Sequence, residues 1–377
     1  DAVVRMRMDG ECFETLRIPH THIRAVTSRI KVLSNLDITE RRLPQDGKMI
    51  AHMKGRRLEL RIATVPTVNG ESVVMRVLAA ADSLLTMDDL GMTPQNYEWT
   101  RQLIANPHGI MLCVGPTGSG KTTTLHAVLG AINEPNRKIL TAEDPVEITQ
   151  AGLQQVEVQS KIGRTFQRVL RSFLRADPDV ILIGEIRDQE TAQIAIEASL
   201  TGHLVFSTLH TNSAPETITR LLGFDLDPMD FADAIQGILA QRLVRTLCKK
   251  CKEEYQPDAR EAEELIKILG GPERVRACGH DPDNLTLCRP VGCDACNKTD
   301  ADGNVIEGGY KGRAGIHELL MATPAMKELI GTQPPVADIR NLAIKQGMLT
   351  LRQDGVLKIL DGRIDMHQLR QVTVEGG

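Results

Sequence analysis

The chain carries, at residues 115–122, the stretch Gly115-Pro116-Thr117-Gly118-Ser119-Gly120-Lys121-Thr122, which satisfies G-x-x-x-x-G-K-[ST]. The apolar run Ile110–Val114 comes directly before it, and Thr122–Ile132 has helical character directly after it. Glycines let the backbone turn tightly, so that its N–H groups point at phosphate oxygens and the helix N-terminus adds positive potential. The order strand, loop, helix therefore predicts a nucleotide-binding P-loop.

The side chains of this loop are expected to divide the work of binding a nucleotide. Lys121 should reach the β- and γ-phosphates of ATP, and the Thr122 hydroxyl should bind Mg²⁺. The predicted nucleotide-binding residues are Gly115, Pro116, Thr117, Gly118, Ser119, Gly120, Lys121, Thr122 and Thr123. Hydrolysis also requires a group that positions water and charge that stabilises the transition state.

A carboxylate follows a second apolar run and is the candidate for water activation. Val180–Ile183 is followed by Gly184 and then by Glu185, so Gly184 stands where an Asp usually holds Mg²⁺. The alternative is a solvated surface carboxylate, because Glu is mostly exposed. Its position at the end of a buried strand favours Glu185 as a catalytic residue.

An acidic block, Glu143-Asp144-Pro145-Val146-Glu147, follows another apolar run. Three carboxylates at the ligand-binding edge of a sheet suit water-mediated Mg²⁺ coordination, and Glu143 is the candidate catalytic member. An acidic turn with Pro145 ending the strand explains the spacing equally well, and the two readings stay open.

A fourth block, Thr201–Asn212, has a histidine near each end of an apolar run. His210 is placed to sense the γ-phosphate from the end of a strand. His203 fits a structural role better, since a lone histidine beside a strand is more often structural than catalytic.

The strands of this region alternate with helices. The candidates are Ile110–Val114, Lys138–Ala142, Val180–Ile183 and His203–Ser207. This alternation predicts an α/β fold with a mostly parallel sheet.

The flanking regions complete the predicted domain organisation. An α+β domain is expected over 1–83, with strands at Ala2–Met8 and Cys12–Ile18 after an Asp9-Gly10 turn, a helix over Ile23–Leu36, and a hairpin of Leu58–Thr64 and Ser72–Leu78 around Asn69-Gly70. A linker over 84–97, an ATPase core over 98–240, a cysteine-rich insertion over 241–299 and a helical part over 300–377 follow. Thr323 and Pro324 predict a helix start.

Composition narrows the classes of protein to consider. The 377 residues carry a net charge of −4, with 25% charged and 41% apolar residues, which is typical of a globular protein of two or three domains. The acidic balance argues against a dedicated nucleic-acid binder, and no apolar run approaches the ~20 residues of a membrane helix. Because the chain begins with Asp1 rather than Met, we expect it to be part of a longer protein.

Cysteines are concentrated in the predicted insertion. The pairs Cys248/Cys251 and Cys293/Cys296 form two C-x-x-C motifs that suit one structural, tetrahedral Zn²⁺. The 41 residues between the pairs exceed the ~15–20 of a zinc ribbon. Three further residues are therefore possible competing ligands: Cys278, His280 and Cys288. Metal-free cysteines and a zinc-dependent nucleic-acid reader are less favoured alternatives, the second because few basic and aromatic residues are near.

The four blocks, in this order, resemble those of the secretion ATPase superfamily, which includes type II secretion ATPases and type IV pilus assembly ATPases. The resemblance implies a RecA-like motor domain that uses ATP and Mg²⁺, a PAS-like N-terminal domain, and a homohexameric ring. It also implies a cytoplasmic location at the inner membrane, a platform protein there as partner, and docking or regulatory contacts through more N-terminal segments. The acidic, histidine-containing segment that the family has before the first strand is absent.

The resemblance extends to the N-terminal region. Residues 43–48 look like a PQDG segment of the family, and Arg61 and Arg76 look like arginines that reach the phosphates when two domains close. From the residues alone, a solvated strand face is the better reading of these arginines. Four arginines at helical spacing suit either a subunit interface or an exposed basic face: Arg164, Arg168, Arg171 and Arg175.

The tetracysteine motif and residues 346–355 look like the assembly and export branch of the superfamily. Pilus extension is the first expectation and type II secretion the second. A DNA-translocating motor and a nucleotide-gated scaffold are alternatives from other classes.

Overall fold

The computed structural model describes residues 1–8, 11–53, 56–77, 84–299 and 305–373. Its contacts divide the chain into two compact units. The N-terminal unit comprises Asp1–Leu84, Glu147–Thr149 and Lys298–Glu307, and the main unit comprises Leu85–Val146, Gln150–Asn297 and Gly308–Gly377. The predicted Asp9-Gly10 turn lies outside the described residues.

The N-terminal unit combines hairpins with one helix, as the sequence predicted. Its elements are β1 (Ala2–Met8), β2 (Glu11–Ile18), α1 (His20–Leu33), β3 (Gln45–Met53), β4 (Arg56–Thr67), β5 (Gly70–Val77), β14 (Lys298–Thr299) and β15 (Val305–Glu307). Strands β3, β4 and β5 form an antiparallel sheet in that order, and β1 pairs with β2. The hairpin at Asn69-Gly70 is confirmed, with Thr67 opposite Gly70, whereas β3 was not predicted.

The main unit is built on a seven-stranded sheet in the order β16-β11-β6-β10-β9-β7-β8. Its strands are β6 (Gly109–Val114), β7 (Ile139–Glu143), β8 (Gln154–Glu157), β9 (Val180–Ile183), β10 (Leu204–Leu209), β11 (Ile235–Leu247) and β16 (Tyr310–Met321). All neighbouring pairs are parallel except β11 and β16. The four strands predicted for this region are all present, and the α/β fold class is confirmed.

Helices cover both faces of this sheet and bury its apolar side chains in two clusters. They are α2 (Pro94–Ala105), α3 (Lys121–Ile132), α4 (Phe166–Phe173), α5 (Gln189–Leu200), α6 (Ala214–Leu222), α7 (Pro228–Ala234), α10 (Pro324–Gly331) and α11 (Val336–Lys345). The predicted start of α10 is confirmed, because the Thr323 side chain accepts a hydrogen bond from the Met326 N–H at 3.2 Å.

Two segments depart from the predicted organisation. The predicted linker over 84–97 contains a 3-10 helix, Met87–Leu90, whose Met87 and Leu90 are buried in the main unit, and α2 begins at Pro94. The predicted helical part over 300–377 contains strand β16, which is buried between Ala314 and Leu320. Glycines and charged residues in β16 interrupt its apolar pattern, so that its strand character is visible only once β11 lies beside it.

The cysteine-rich region contains regular secondary structure. It contains β12 (Glu253–Tyr255), α8 (Ala259–Leu269), α9 (Pro272–Ala277) and β13 (Leu287–Arg289), and it packs on α12 (Leu351–Leu360) and α13 (Met366–Val372). Leu265, Leu269 and Leu287 share an apolar cluster with Val356 and Ile359. The apolar core of this region is thus assembled from residues that are distant in the sequence, because Val356 and Ile359 belong to α12.

None of the helices in the described residues has both the length and the apolar character that crossing a membrane requires.

A buried charge cluster lies between β16 and α12. Asp354 accepts hydrogen bonds from the His317 N–H at 2.8 Å and from the Lys358 ammonium. His317 and Asp354 are fully buried. Burial, reinforced by the charges of Lys358 and Arg363, lowers the pKa of His317 to about 3. His317 is therefore neutral in the folded protein at pH 5, where an unfolded histidine carries a proton.

We expect the free energy of unfolding to decrease as the pH is lowered, because of His317. Unfolding takes up a proton at His317 between its ordinary pKa of 6.5 and its folded value of about 3, so the free energy of unfolding decreases by about 1.4 kcal/mol per pH unit as pH falls through this window. Urea unfolding of His317→Gln between pH 6 and 5 should lack this slope. His367→Gln, at an exposed histidine, is the matched control; equal slopes for the wild type and His317→Gln would contradict the assignment.

Candidate active site

The carboxyl ends of four neighbouring strands bring the predicted blocks together at one edge of the sheet. Val114 of β6 lies opposite Leu209 of β10, and Ile183 of β9 lies between Ser207 and Ala142 of its neighbours. Each strand leads directly into one of the four blocks. In parallel α/β sheets this edge is where ligands bind.

The phosphate loop has the backbone conformation that its glycines permit. Gly115 and Gly120 have φ angles of 153° and 89°, in the region that favours glycine. A β-carbon at Gly115 would lie 2.5 Å from the Gln241 carbonyl oxygen, and one at Gly120 would lie 2.8 Å from Gln241 Nε2. Any side chain at either position would clash with β11 as well as strain the loop.

Lys121 is held inside the loop. Its ammonium donates to the carbonyl oxygens of Gly115 at 2.8 Å and Pro116 at 3.1 Å. The residue is only 9% exposed, so its charge is directed at the concave side of the loop. Thr122 and Thr123 follow in the first turn of α3, both half-buried, where the N-terminus of that helix favours anions.

Glu185 lies at the end of β9 between two nitrogen-bearing side chains. Its carboxylate pairs with the Arg187 guanidinium, and its other oxygen lies 3.6 Å from His210 Nε2. Glu185 is 15% exposed at its side chain, so it is accessible from one direction only. Burial, together with the charge of Lys121, lowers the pKa of His210, so that this imidazole is neutral at pH 7.

The packing of β9 against β7 at Gly184 accounts for the absence of an Asp directly before Glu185. Its N–H donates to the Ala142 carbonyl at 2.8 Å. A β-carbon there would lie 3.1 Å from that same oxygen and 3.2 Å from Glu143 Cα. A side chain at this position would therefore require strands β9 and β7 to move apart by a few tenths of an ångström.

Glu143 lies below the surface of the site. It is 4% exposed and accepts hydrogen bonds from Thr141 Oγ1 at 2.6 Å and Gln155 Nε2 at 2.9 Å, with His126 Nε2 at 3.5 Å. Burial raises its pKa, but the hydrogen bonds from these three groups outweigh burial and the net pKa is lowered. Glu143 is therefore an ionised link between β7 and the P-loop helix, on which His126 lies.

Comparison with known proteins identifies the family. The sequence profile of T2SSE, Type II/IV secretion system protein, matches residues 1–371. The chain belongs to this family. The type II secretion system ATPase E of Vibrio cholerae serotype O1 is 42% identical over 372 residues, which are 99% of this chain and 70% of the relative. The type IV pilus assembly ATPase PilB of Myxococcus xanthus is 42% identical over 370 residues, 98% of this chain and 62% of the relative.

Solved structures agree on the fold. The pilus retraction motor PilT with bound ADP has a TM-score of 0.66 at 24% identity, covering 99% of this chain and 90% of its own. The Legionella pneumophila ATPase DotB has a TM-score of 0.66 at 20% identity, covering 96% of this chain and 86% of its own. Family membership also confirms the predicted enzyme class: this secretion ATPase is an ATP hydrolase.

The arginines predicted in the N-terminal unit belong to a cationic row across its three-stranded sheet. Arg61 of β4 lies opposite both Lys48 of β3 and Arg76 of β5. Directly opposed residues share one face of a sheet, so three cations lie side by side there. Arg76 Nη1 lies 3.7 Å from Glu147 Oε1, within the same unit. Lys48 was not predicted, because strand β3 was not.

Sequence reasoning also missed two neighbouring polar residues in the apolar strand β11. Gln241 contacts the phosphate loop, and Arg242 donates to the Asn212 carbonyl at 2.9 Å. Their signal in the sequence is a polar pair within the otherwise apolar run 238–244. Arg187, which pairs with Glu185, was missed because it lies in a loop. His203 has the structural role expected, with Nδ1 2.8 Å from the Ala198 carbonyl.

The four arginines near α4 remain divided between local contacts and solvent. Arg171 pairs with Glu190 at 2.8 Å, and Arg164 donates to the Glu157 carbonyl at 3.1 Å. Arg164 and Arg168 line a cavity of about 420 Å³.

The tetracysteine cluster is assembled as the sequence predicted. In the described residues, the ligand atoms of Cys248, Cys251, Cys293 and Cys296 all lie within 4.8 Å of one another. The two C-x-x-C motifs follow the end of β11 and the loop after β13, which the fold brings together across the long linker. Four sulfurs at this spacing suit one tetrahedral ion of the zinc type.

The competing ligands lie elsewhere. Cys278 is exposed, Cys288 is buried on β13, and His280 Nε2 lies 3.6 Å from Asp361 Oδ1. None of these three belongs to the cluster. The backbone N–H groups of Gly292 and Gly309 donate to Cys251 and Cys296 at 3.4 and 3.2 Å, which stabilises thiolates in the metal-binding form.

Proposed function

We propose that this secretion ATPase hydrolyses MgATP on the loop of residues 115–122, with Glu185 orienting the attacking water. One observation carries the proposal: a carboxylate that is paired with Arg187 and lies 3.6 Å from His210 is at the end of β9, one strand away from the strand β6 that leads into the loop holding Lys121. A positioned acceptor next to a phosphate cradle is what phosphoryl transfer to water requires.

The residues divide the chemistry between binding and positioning. Lys121 exchanges its two carbonyl partners for phosphate oxygens, because a phosphate is the stronger acceptor. Thr122 offers its hydroxyl to Mg²⁺, which supplies charge stabilisation to the phosphates when bound. Arg187 fixes the carboxylate of Glu185, and neutral His210 offers a nitrogen close to the same carboxylate without adding charge.

Replacing Glu185 with Gln tests the role of the carboxylate. The amide keeps the size of the side chain but is a much poorer base and orienting acceptor, so turnover should fall about 10²–10⁴-fold while MgATP affinity is retained. Steady-state phosphate release and equilibrium nucleotide binding measure the two quantities.

Glu190→Gln is the matched control, since Glu190 is an exposed glutamate on the following helix that pairs only with Arg171 among the described residues. Turnover equal to wild type in Glu185→Gln would remove this residue from the mechanism. In the source organism, the same variant should stop either pilus extension or export of secreted proteins, and the process that is lost identifies the client.

We also infer that the cationic row of Lys48, Arg61 and Arg76 supplies charge to the triphosphate during turnover. Like charges placed opposite one another destabilise a sheet; Glu147 lies 3.7 Å from Arg76 at one end of the row, and a bound triphosphate would neutralise the row further. Within the four nucleotide blocks, Lys121 is the cation directed at the phosphate position, and arginines can add ~10³–10⁵ in rate.

Alanine at Arg61 or Arg76 should therefore reduce kcat by at least about tenfold with a smaller change in MgADP affinity, because the charge acts chiefly on the transition state. Arg29→Ala removes an exposed arginine of α1 in the same unit and should leave kcat unchanged. If the three variants turn over equally fast, the cationic row serves another purpose.

The tetracysteine cluster is proposed to hold a structural zinc ion. Four thiolates leave no open coordination position for catalysis. The ion would tie the end of β11 to the loop around Cys293 and Cys296, so that the cysteine-rich region stays attached to the apolar cluster beneath it.

Elemental analysis of the purified protein should find about one zinc ion per chain, as a closed tetrahedral site binds zinc tightly. Cys293→Ser should lose the ion and lower the unfolding temperature. Cys278→Ser, at an exposed cysteine outside the cluster, should retain both. Zinc bound equally well by Cys293→Ser would show that these four sulfurs are not the ligand set.

The machine that this ATPase drives is proposed from its relatives. Relatives named for type II secretion are 42% and 44% identical to it, and relatives named for pilus assembly are 41% and 42% identical. We propose that a homohexamer of this chain powers assembly of a pilus or of a type II pseudopilus, through a platform protein at the cytoplasmic face of the inner membrane. The acidic net charge of −4 disfavours a DNA-translocating motor.

A further inference from the structure

Gln241 of strand β11 joins the phosphate loop to the first turn of α3 with one side chain. Its Nε2 donates to the Ser119 carbonyl at 2.8 Å, and its Oε1 accepts from the Thr124 hydroxyl at 2.7 Å. All three residues are buried: Gln241 and Ser119 are each 3% exposed and Thr124 is 1% exposed. Because the Ser119 carbonyl can only accept a hydrogen bond, the nitrogen of the Gln241 side-chain amide must be the atom that faces it.

We propose that Gln241 is a positioning residue that holds the phosphate loop in its anion-binding conformation. The proposal rests on the function proposed above, in which the nucleotide phosphates lie on this loop. It adds a residue outside the four nucleotide blocks and assigns it a specific effect on phosphate recognition.

The planarity of the peptide group explains how Gln241 acts on the phosphates. In a trans peptide the C=O and the N–H point in opposite directions. The Ser119 carbonyl points outward to Gln241, so the N–H of Gly120 in the same peptide points to the opposite side, into the loop. Gln241 therefore orients a donor that it does not touch.

The fit between Gln241 and the loop is close on both sides. The side-chain amide nitrogen of Gln241 leaves no room for a β-carbon at Gly120, and the backbone carbonyl oxygen of Gln241 leaves none at Gly115. The loop thus rests against β11 at both of these glycines. A loop released from this contact would gain alternative peptide orientations, and ordering them again would weaken phosphate binding.

Arg242, the next residue of β11, contacts the block that contains His210. Arg242 donates from Nη1 to the Gln241 carbonyl at 3.0 Å and from Nη2 to the Asn212 carbonyl at 2.9 Å. Strand β11 therefore contacts the phosphate loop and the loop after β10 through neighbouring residues.

Gln241→Leu tests the proposal, because leucine has a similar volume and lacks both hydrogen bonds. Binding of MgADP, MgATP and adenosine to the purified full chain is measured by calorimetry. Affinity for MgADP and MgATP should fall about tenfold or more, and adenosine affinity less than about twofold, since the lost orientation acts on phosphates alone. In turnover, KM for ATP should rise more than kcat falls.

Two further variants keep the test decisive. Thr124→Val removes the hydroxyl that holds the Gln241 amide but leaves the hydrogen bond from Gln241 to Ser119. The affinity for MgADP should fall about threefold. This variant provides the test if Gln241→Leu does not fold. Gln236→Leu changes a half-buried glutamine at the start of the same strand, away from the phosphate loop, and should bind MgADP as wild type does.

The outcomes separate this proposal from the proposed function. MgADP affinity in Gln241→Leu within twofold of wild type, or equal losses for MgADP and adenosine, would overturn the positioning role and indicate a merely structural glutamine. Failure of the wild-type protein itself to bind MgADP would instead overturn the nucleotide site.

Discussion

The site depends on the parallel register of four neighbouring strands. Val114 ends its strand beside Leu209, and Ile183 ends its strand beside Ser207 and Ala142, so the four strands end within two residues of one another. The loops that follow them therefore meet without any long side chain having to bridge a gap. A shift of one residue in any strand would exchange its two faces and carry the following loop away from the phosphates. The close approach at Gly184 has the same origin, since it reflects how tightly β9 and β7 pair.

Much of this arrangement follows from local sequence patterns. The phosphate loop, the buried strands around it and the start of α10 at Thr323 were predicted because each depends on residues within one short segment. Gln241 was not predictable, because its partners Thr124 and Ser119 lie 117 and 122 residues earlier in the chain. Strand β16 was missed for a related reason: its pattern becomes clear only when β11 is paired with it.

In the cysteine-rich region, the spacing of the cysteines in the sequence was not enough to identify the four metal ligands. Two C-x-x-C motifs predicted a metal site, yet their separation left Cys278, His280 and Cys288 as rivals. In the described residues the fold, which includes the packing of α8 on α12, brings the two pairs together and leaves the three rivals outside the cluster. The same packing supplies the apolar contacts that the composition of the segment did not suggest.

Strand β11 connects these two parts of the molecule. Gln241 contacts the phosphate loop and Cys248 follows the last residue of the strand, seven residues further on, a span of about 23 Å at about 3.3 Å per residue. Extended, hydrogen-bonded backbone hardly lengthens under load. A displacement of the cysteine cluster along the axis of β11 would therefore displace Gln241 by a similar distance.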